Sequence, residues 1–113
     1  MIPLPDNYRK YGYTFELLER VEDVAIFKQI SEGEVIAYEV FEVLKNEETT
    51  ATFAGAEIHY PAKEAIPSTE NWGKNAFTCS TPERAEIKRD YLLERIAERK
   101  AQQETVENPI LAT

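Results

Sequence analysis

His59 and Cys79 are the single histidine and the single cysteine of this sequence, so a catalytic pair built on imidazole and thiol has to be assembled from these two. Serine or cysteine nucleophiles draw on a nearby histidine base. The two positions would have to meet by folding alone, and a structural role is expected of each: Cys79 as a small buried or half-buried hydrophobe, His59 as a strand-surface residue. Zinc needs three or four nitrogen or sulfur ligands at suitable spacing, and one histidine plus one cysteine falls short. Glu57 and His59 share a strand face two residues apart. That spacing would serve an acid/base pair or a hard-cation site, but carboxylates are so frequent in this region that such a neighbour is expected by chance. The four glycines, Gly12, Gly33, Gly55 and Gly73, never cluster as a phosphate-cradling loop requires. The sequence therefore carries no expected catalytic residue, metal site or cofactor, and no enzyme is expected.

Candidates for recognition are easier to name. Tyr8, Tyr11, Tyr13, Phe15, Trp72 and Phe77 are the aromatic candidates, most of them expected in the core. Tyrosine and tryptophan anchor protein interfaces when exposed, which singles out Trp72, in a loop, and Tyr11, beside a bend at Gly12. The acidic candidates are Glu39, Glu42, Glu47 and Glu48, read as one wetted sheet surface. Six bases of the C-terminal segment, Arg84, Lys88, Arg89, Arg95, Arg99 and Lys100, have the composition of a groove-binding helix. Acids are interleaved with them, however, so the segment reads as a solvated charge ladder.

These residues need elements to position them. Tyr13 to Arg20 alternates with a period of two, and Val24 to Ile30 is rich in β-branched and aromatic residues, so both are predicted strands. Ser31 to Glu34 closes a hairpin around Gly33. Val35 to Lys45 is predicted as a central strand, covered on one side and wetted on the other by Glu39 and Glu42. Tyr8 to Tyr13 is read as a lead-in segment. Thr49 to Phe53 resumes an extended strand, Glu57 to Tyr60 is an edge strand stopped by Pro61, Pro61 to Lys74 is a structured loop, and Asn75 to Cys79 docks as an extended piece. A helix starts at Ser80-Thr81-Pro82-Glu83, either as a capping box from Ser80 to Glu83 or with Thr81 as N-cap and Pro82 in the first position. It is expected to end near Gln103, with Ala85, Leu92 and Ile96 on its apolar stripe and Ile87 and Leu93 flanking it. Glu86 with Arg89 and Arg95 with Glu98 are expected as pairs along its exposed face. The fold class is thus α+β: an antiparallel meander of three to four strands packed by one long C-terminal helix. Residues 1–104 form a single domain and 105–113 a flexible tail.

At 113 residues, with 42% hydrophobic and 30% charged residues, the chain has the length and composition of one folding domain. Its start lacks the basic and apolar regions of a secretory signal, and no apolar run is long enough for a bilayer. A cytoplasmic location and no membrane contact are expected. The net charge of −8 is uneven: residues 11 to 80 hold 13 acids against five bases, whereas the C-terminal third is almost balanced. Such a surface repels phosphate backbones and attracts a basic partner, so direct nucleic-acid binding is not expected.

Tyr11-Gly12-Tyr13-Thr14-Phe15 with Leu18 and Arg20, then Ala25-Ile26-Phe27, Tyr38-Glu39-Val40, Pro67-Ser68, Trp72-Gly73-Lys74 and Ala76-Phe77-Thr78 form an ordered pattern across most of residues 11 to 90. It resembles that of small uncharacterised accessory proteins encoded by bacteriophages and prophages. The resemblance implies a source more than an activity, and it departs at the C-terminus, where a long charged helix stands in place of a short one. The leading expectation is a non-enzymatic protein-binding accessory factor acting on a host protein, in the host cytoplasm, through the acidic sheet surface or the Trp72 loop. The alternatives are an inhibitor of a nucleic-acid enzyme, of the anti-CRISPR or DNA-mimic kind, and a structural or homo-oligomeric virion component.

Overall fold

A computed structural model describes residues 1–107. The chain opens with strand β1 (Asn7–Lys10), which pairs antiparallel with β2 (Tyr13–Val21). β3 (Val24–Ser31) and β4 (Glu34–Glu42) continue the meander. Tyr11-Gly12 and Glu32-Gly33 hold these hairpins, with φ of 55° and 80° in the first turn and 51° and 80° in the second. Two successive positive φ angles define the tight turn whose twist matches the strands it joins, and glycine takes the second position without a Cβ clash.

Beyond β4 come β5 (Leu44–Asn46), the hairpin of β6 (Thr49–Phe53) with β7 (Ala56–Tyr60), and β8 (Lys63–Ala65), which pairs back on β5. A single 3-10 turn, Thr69–Asn71, precedes β9 (Ala76–Cys79), and α1 (Pro82–Glu107) ends the described chain. The main sheet has the order β1-β2-β3-β4-β9 and is antiparallel throughout. The fold is α+β as the sequence predicts, but with five strands in that sheet. The additional edge strands are the tyrosine-bearing lead-in, which is β1, and the extended piece Ala76–Cys79. The strand predicted from Val35 to Lys45 breaks at Val43, and β6 with β7 forms a separate two-stranded ladder outside the main sheet.

Val24, Ala25, Ile26 and Phe27 are all buried. Successive strand residues point to opposite faces, so four buried residues in a row require cover on both sides. On one face Val24, Ile26, Val40 and Cys79 pack against Ala85, Leu92 and Ile96 of α1. On the other, Phe15, Ala25, Phe27, Phe41, Val43 and Ala76 are packed by Leu4, Ile66 and Trp72 from irregular segments. The expectation of one wetted face is corrected accordingly. Glu39 and Glu42 lie three positions apart along β4 and so fall on opposite faces, Glu39 opposite Phe27 and Glu42 opposite Val24.

The helix starts by the second of the predicted routes: Thr81 Oγ1 accepts the Arg84 N–H at 3.2 Å, and Pro82 opens the helix. It runs to Glu107, past the expected end at Gln103, because no glycine or proline occurs before Pro109. The expected tail boundary therefore falls inside the helix, and residues 108–113 of that tail lie outside the described residues. Ile87, expected to flank the buried stripe, is instead 66% exposed. The helix cations also depart from the expected spacing. Arg89 pairs with Glu19 of β2 and with Asp90, Arg99 pairs with Glu42 of β4, and Arg95 bonds the Tyr91 hydroxyl and the Lys74 carbonyl. No helix among the described residues is long and apolar enough to cross a membrane.

One ionic junction ties the second cover to the sheet. Arg20 of β2 donates to both carboxylate oxygens of Glu64 in β8, at 2.6 and 2.7 Å, and Glu64 Oε1 also accepts the Leu4 N–H at 2.9 Å. Ile2 is laced to the same strand: its N–H donates to the Ala62 carbonyl, and its carbonyl accepts the Glu64 N–H. The Arg20 guanidinium and the Leu4 amide hold the Glu64 carboxyl down at about 2, against an ordinary value of 4.5. A depressed folded-state pKa contributes stability that is fully present above the ordinary value and is lost as pH falls toward the folded value. Glu64→Gln is therefore expected to cost about 1–2 kcal/mol near neutrality and to flatten the acid loss of stability between pH ~4.5 and ~2. Thermal melts of both proteins across that range measure this, and parallel curves would refute it.

Candidate binding pocket

The face turned away from α1 carries a run of rings. Tyr8 stacks on Phe15, with centroids 4.8 Å apart and planes at 11°, and meets Phe27 edge-on at 5.2 Å. Phe27 stacks on Phe41 at 5.6 Å, and Phe41 leans against Trp72 at 6.5 Å. The alternation of β1, β2, β3 and β4 puts these side chains on one side, and the 3-10 turn brings Trp72 over them. Such offset and edge-on arrays add to area burial.

Trp72 is held from several directions. Its backbone N–H donates to the Thr69 carbonyl, it bridges to Ala76, and its indole Nε1–H donates to Thr78 Oγ1 at 2.9 Å. Gly73 follows with φ of 92°, its N–H bonded to the Ala76 carbonyl, while the Lys74 and Asn75 amides both donate to the Asn71 carbonyl. The loop is thereby a built corner between the 3-10 turn and β9.

Between this corner and the β1–β2 turn lies a pocket of about 200 Å³, lined by Lys10, Tyr11, Phe15, Glu39, Thr69 and Trp72. Three predicted recognition residues, Tyr11, Glu39 and Trp72, meet in it although they are far apart in sequence. Phe15 forms its floor, being only 2% exposed, and Tyr11 forms its rim at 77% exposed. Lys10 Nζ lies over the Tyr11 ring, 5.2 Å from its centroid. Glu39 is half-buried. Burial pushes its carboxyl above the usual carboxylate range, with the charge of Lys10 acting the other way. Burial, assisted by the Glu39 charge, also pushes the Tyr8 hydroxyl up.

The other predicted recognition residues are elsewhere. Glu42 is on the helix face, bonded to Arg99 at 2.5 Å. Glu47 and Glu48 lie between β5 and β6, and Glu48 is 3.6 Å from His59 of β7. The acidic residues therefore do not form the single surface that the sequence reading expects. Lys10 and Thr69 are pocket residues that the sequence reading missed. Lys10 has a signal, since it shares a strand face with Tyr8 by the two-residue period, and that signal depends on Asn7–Lys10 being a strand. Thr69 carries none.

His59 and Cys79 are not brought together: His59 sits on the exposed β6–β7 hairpin and Cys79 in the core beneath α1. Burial raises the Cys79 thiol, with Lys88 and Arg84 opposing, which keeps it from being an activated thiolate. A second hollow of about 320 Å³ lies at the start of α1, between Thr78, Cys79, Ser80, Arg84, Ile87 and Lys88. Comparisons with protein-family models, curated proteins and solved structures return no match.

If the Thr78 hydroxyl fixes the indole, Thr78→Val costs about 0.5–1 kcal/mol and shifts and broadens the emission of the chain's single tryptophan. Fluorescence spectra and a denaturant titration read both, and an unaltered spectrum with unaltered stability would refute the anchoring.

Proposed function

We propose that this chain is a non-enzymatic protein-binding accessory factor whose docking surface is the Trp72 pocket. The observation that carries the reading is the convergence of Trp72, Tyr11 and Glu39 at one hollow whose tryptophan is already fixed in place. Interfaces concentrate their binding energy in a few aromatic anchors around such pockets, and a held side chain loses less entropy on docking. The resemblance to phage-encoded accessory proteins supports a host protein as the partner.

The dispersal of the carboxylates favours this reading over a DNA mimic. Imitating a duplex needs a continuous array of unneutralised charge, whereas Glu42 is paired with Arg99, Glu19 with Arg89, and Glu47 and Glu48 lie away from Glu39. A photo-crosslinking residue at Thr69 is expected to capture a defined protein from host lysate at physiological salt. Trp72→Ala in the same background should lower that capture at least about tenfold, the effect of losing an anchor worth about 1.4 kcal/mol or more. Capture unaffected by Trp72→Ala, or no capture together with turnover of a metabolite, would overturn the proposal.

A further inference from the structure

The pocket holds a carboxylate without a bonded partner, and that group specifies its ligand. Glu16, Glu19 and Glu42 of the main sheet each meet a cation: Lys28, Arg89 and Arg99. Glu39 lies on the same sheet, and among the described residues its carboxylate accepts no hydrogen bond and has no cation within 4.0 Å. Half-buried among Tyr11, Phe15 and Trp72, it is separated from much of the water that would otherwise solvate it. A partly desolvated carboxylate beside aromatic faces favours a positive charge twice over, through Coulomb attraction and through the negative faces of the rings.

The same hollow already displays the complementary half of that interaction. Lys10, one of its lining residues, carries its ammonium over the Tyr11 ring, and its charge is felt at Glu39 without closing an ion pair. With the Lys10 ammonium placed over the Tyr11 ring, the Glu39 carboxylate is left without a bonded cation.

We propose that the pocket takes one cationic side chain of the partner protein, arginine in preference to lysine, with Glu39 as counter-ion, Tyr11 and Trp72 as stacking walls, and Lys10 as the resident cation it displaces. This rests on the pocket being the docking site and adds the chemistry of what docks. Arginine is preferred because its planar guanidinium stacks on rings while donating in a fork to a carboxylate, which a lysine ammonium cannot do. The overall charge of −8 steers such a partner toward the surface.

The test uses the full chain and its single tryptophan, with the N-acetyl amides of arginine, lysine, norleucine and glutamate as probes, followed by tryptophan fluorescence and NMR. Arginine amide should bind most tightly, lysine amide next, and the neutral and acidic probes at least about tenfold more weakly, a difference of about 1.4 kcal/mol. Glu39→Gln, which keeps the shape and removes the charge, should weaken arginine binding about tenfold or more. Lys10→Met, which keeps an apolar stem and removes the competing cation, should strengthen it several-fold. Norleucine binding as well as arginine, or Lys10→Met abolishing binding while the glutamate probe binds, would overturn the inference and make the pocket a plain apolar or an anionic-ligand site. If no probe binds while Trp72-dependent crosslinking persists, the cation inference falls and the docking site stands. If arginine binds through Glu39 but crosslinking does not depend on Trp72, the docking reading falls alone.

Discussion

Four consecutive buried residues, Val24 to Phe27, are the constraint from which the rest of the molecule follows. A strand buried on both faces cannot belong to a sheet with one wet side, and the described chain has only one long helix to contribute. α1 covers the Val24, Ile26 and Val40 side, so the Ala25, Phe27 and Phe41 side has to be closed by irregular chain. Irregular cover is harder to hold in place than a helix, because it lacks an internal ladder of hydrogen bonds. Here it is pinned by the Arg20–Glu64 junction, the lacing of Ile2 to β8 and the Trp72 corner. The pocket is the gap over Phe15 between the last of these, the Trp72 corner, and the β1–β2 turn.

The charge pattern follows from the same packing. Once α1 lies across β3 and β4, Arg89 and Arg99 reach the sheet carboxylates Glu19 and Glu42 rather than partners one turn away on their own helix. Bonds at these positions join elements far apart in sequence, whereas pairs within a helix only reinforce what propensity already favours. The acidity counted along the chain is therefore not the acidity that the surface presents. Glu39 is distinguished from the other carboxylates by position: it lies on the face that α1 does not touch, so no helix cation reaches it.

Several errors of the sequence reading have one origin, which is that alternation assigns faces within a strand but says nothing about neighbours. The spacing of three positions between Glu39 and Glu42 by itself places them on opposite faces of β4, so they do not share one wetted surface. β1 was harder to recognise, since Asn7-Tyr8-Arg9-Lys10 has two charges and one aromatic and becomes a strand by pairing with β2. The hairpin of β6 and β7 was legible as two extended segments, yet its separation from the main sheet depends on where β5 and β8 pair.

By itself the sequence determined the strand character and alternation of β2, β3 and β4, the tight turn at Gly33, a helix start within Ser80-Thr81-Pro82-Glu83 and the buried stripe of Ala85, Leu92 and Ile96. All of these are local, set by side-chain period, backbone φ and the capping of free N–H groups within a few residues. Only the tertiary structure decided that both faces of β3 are covered, that the helix cations neutralise sheet acids, and that Tyr11, Glu39 and Trp72 share one pocket with Lys10. Those outcomes depend on contacts between segments distant along the chain, where apolar burial selects the partner and no local pattern encodes it.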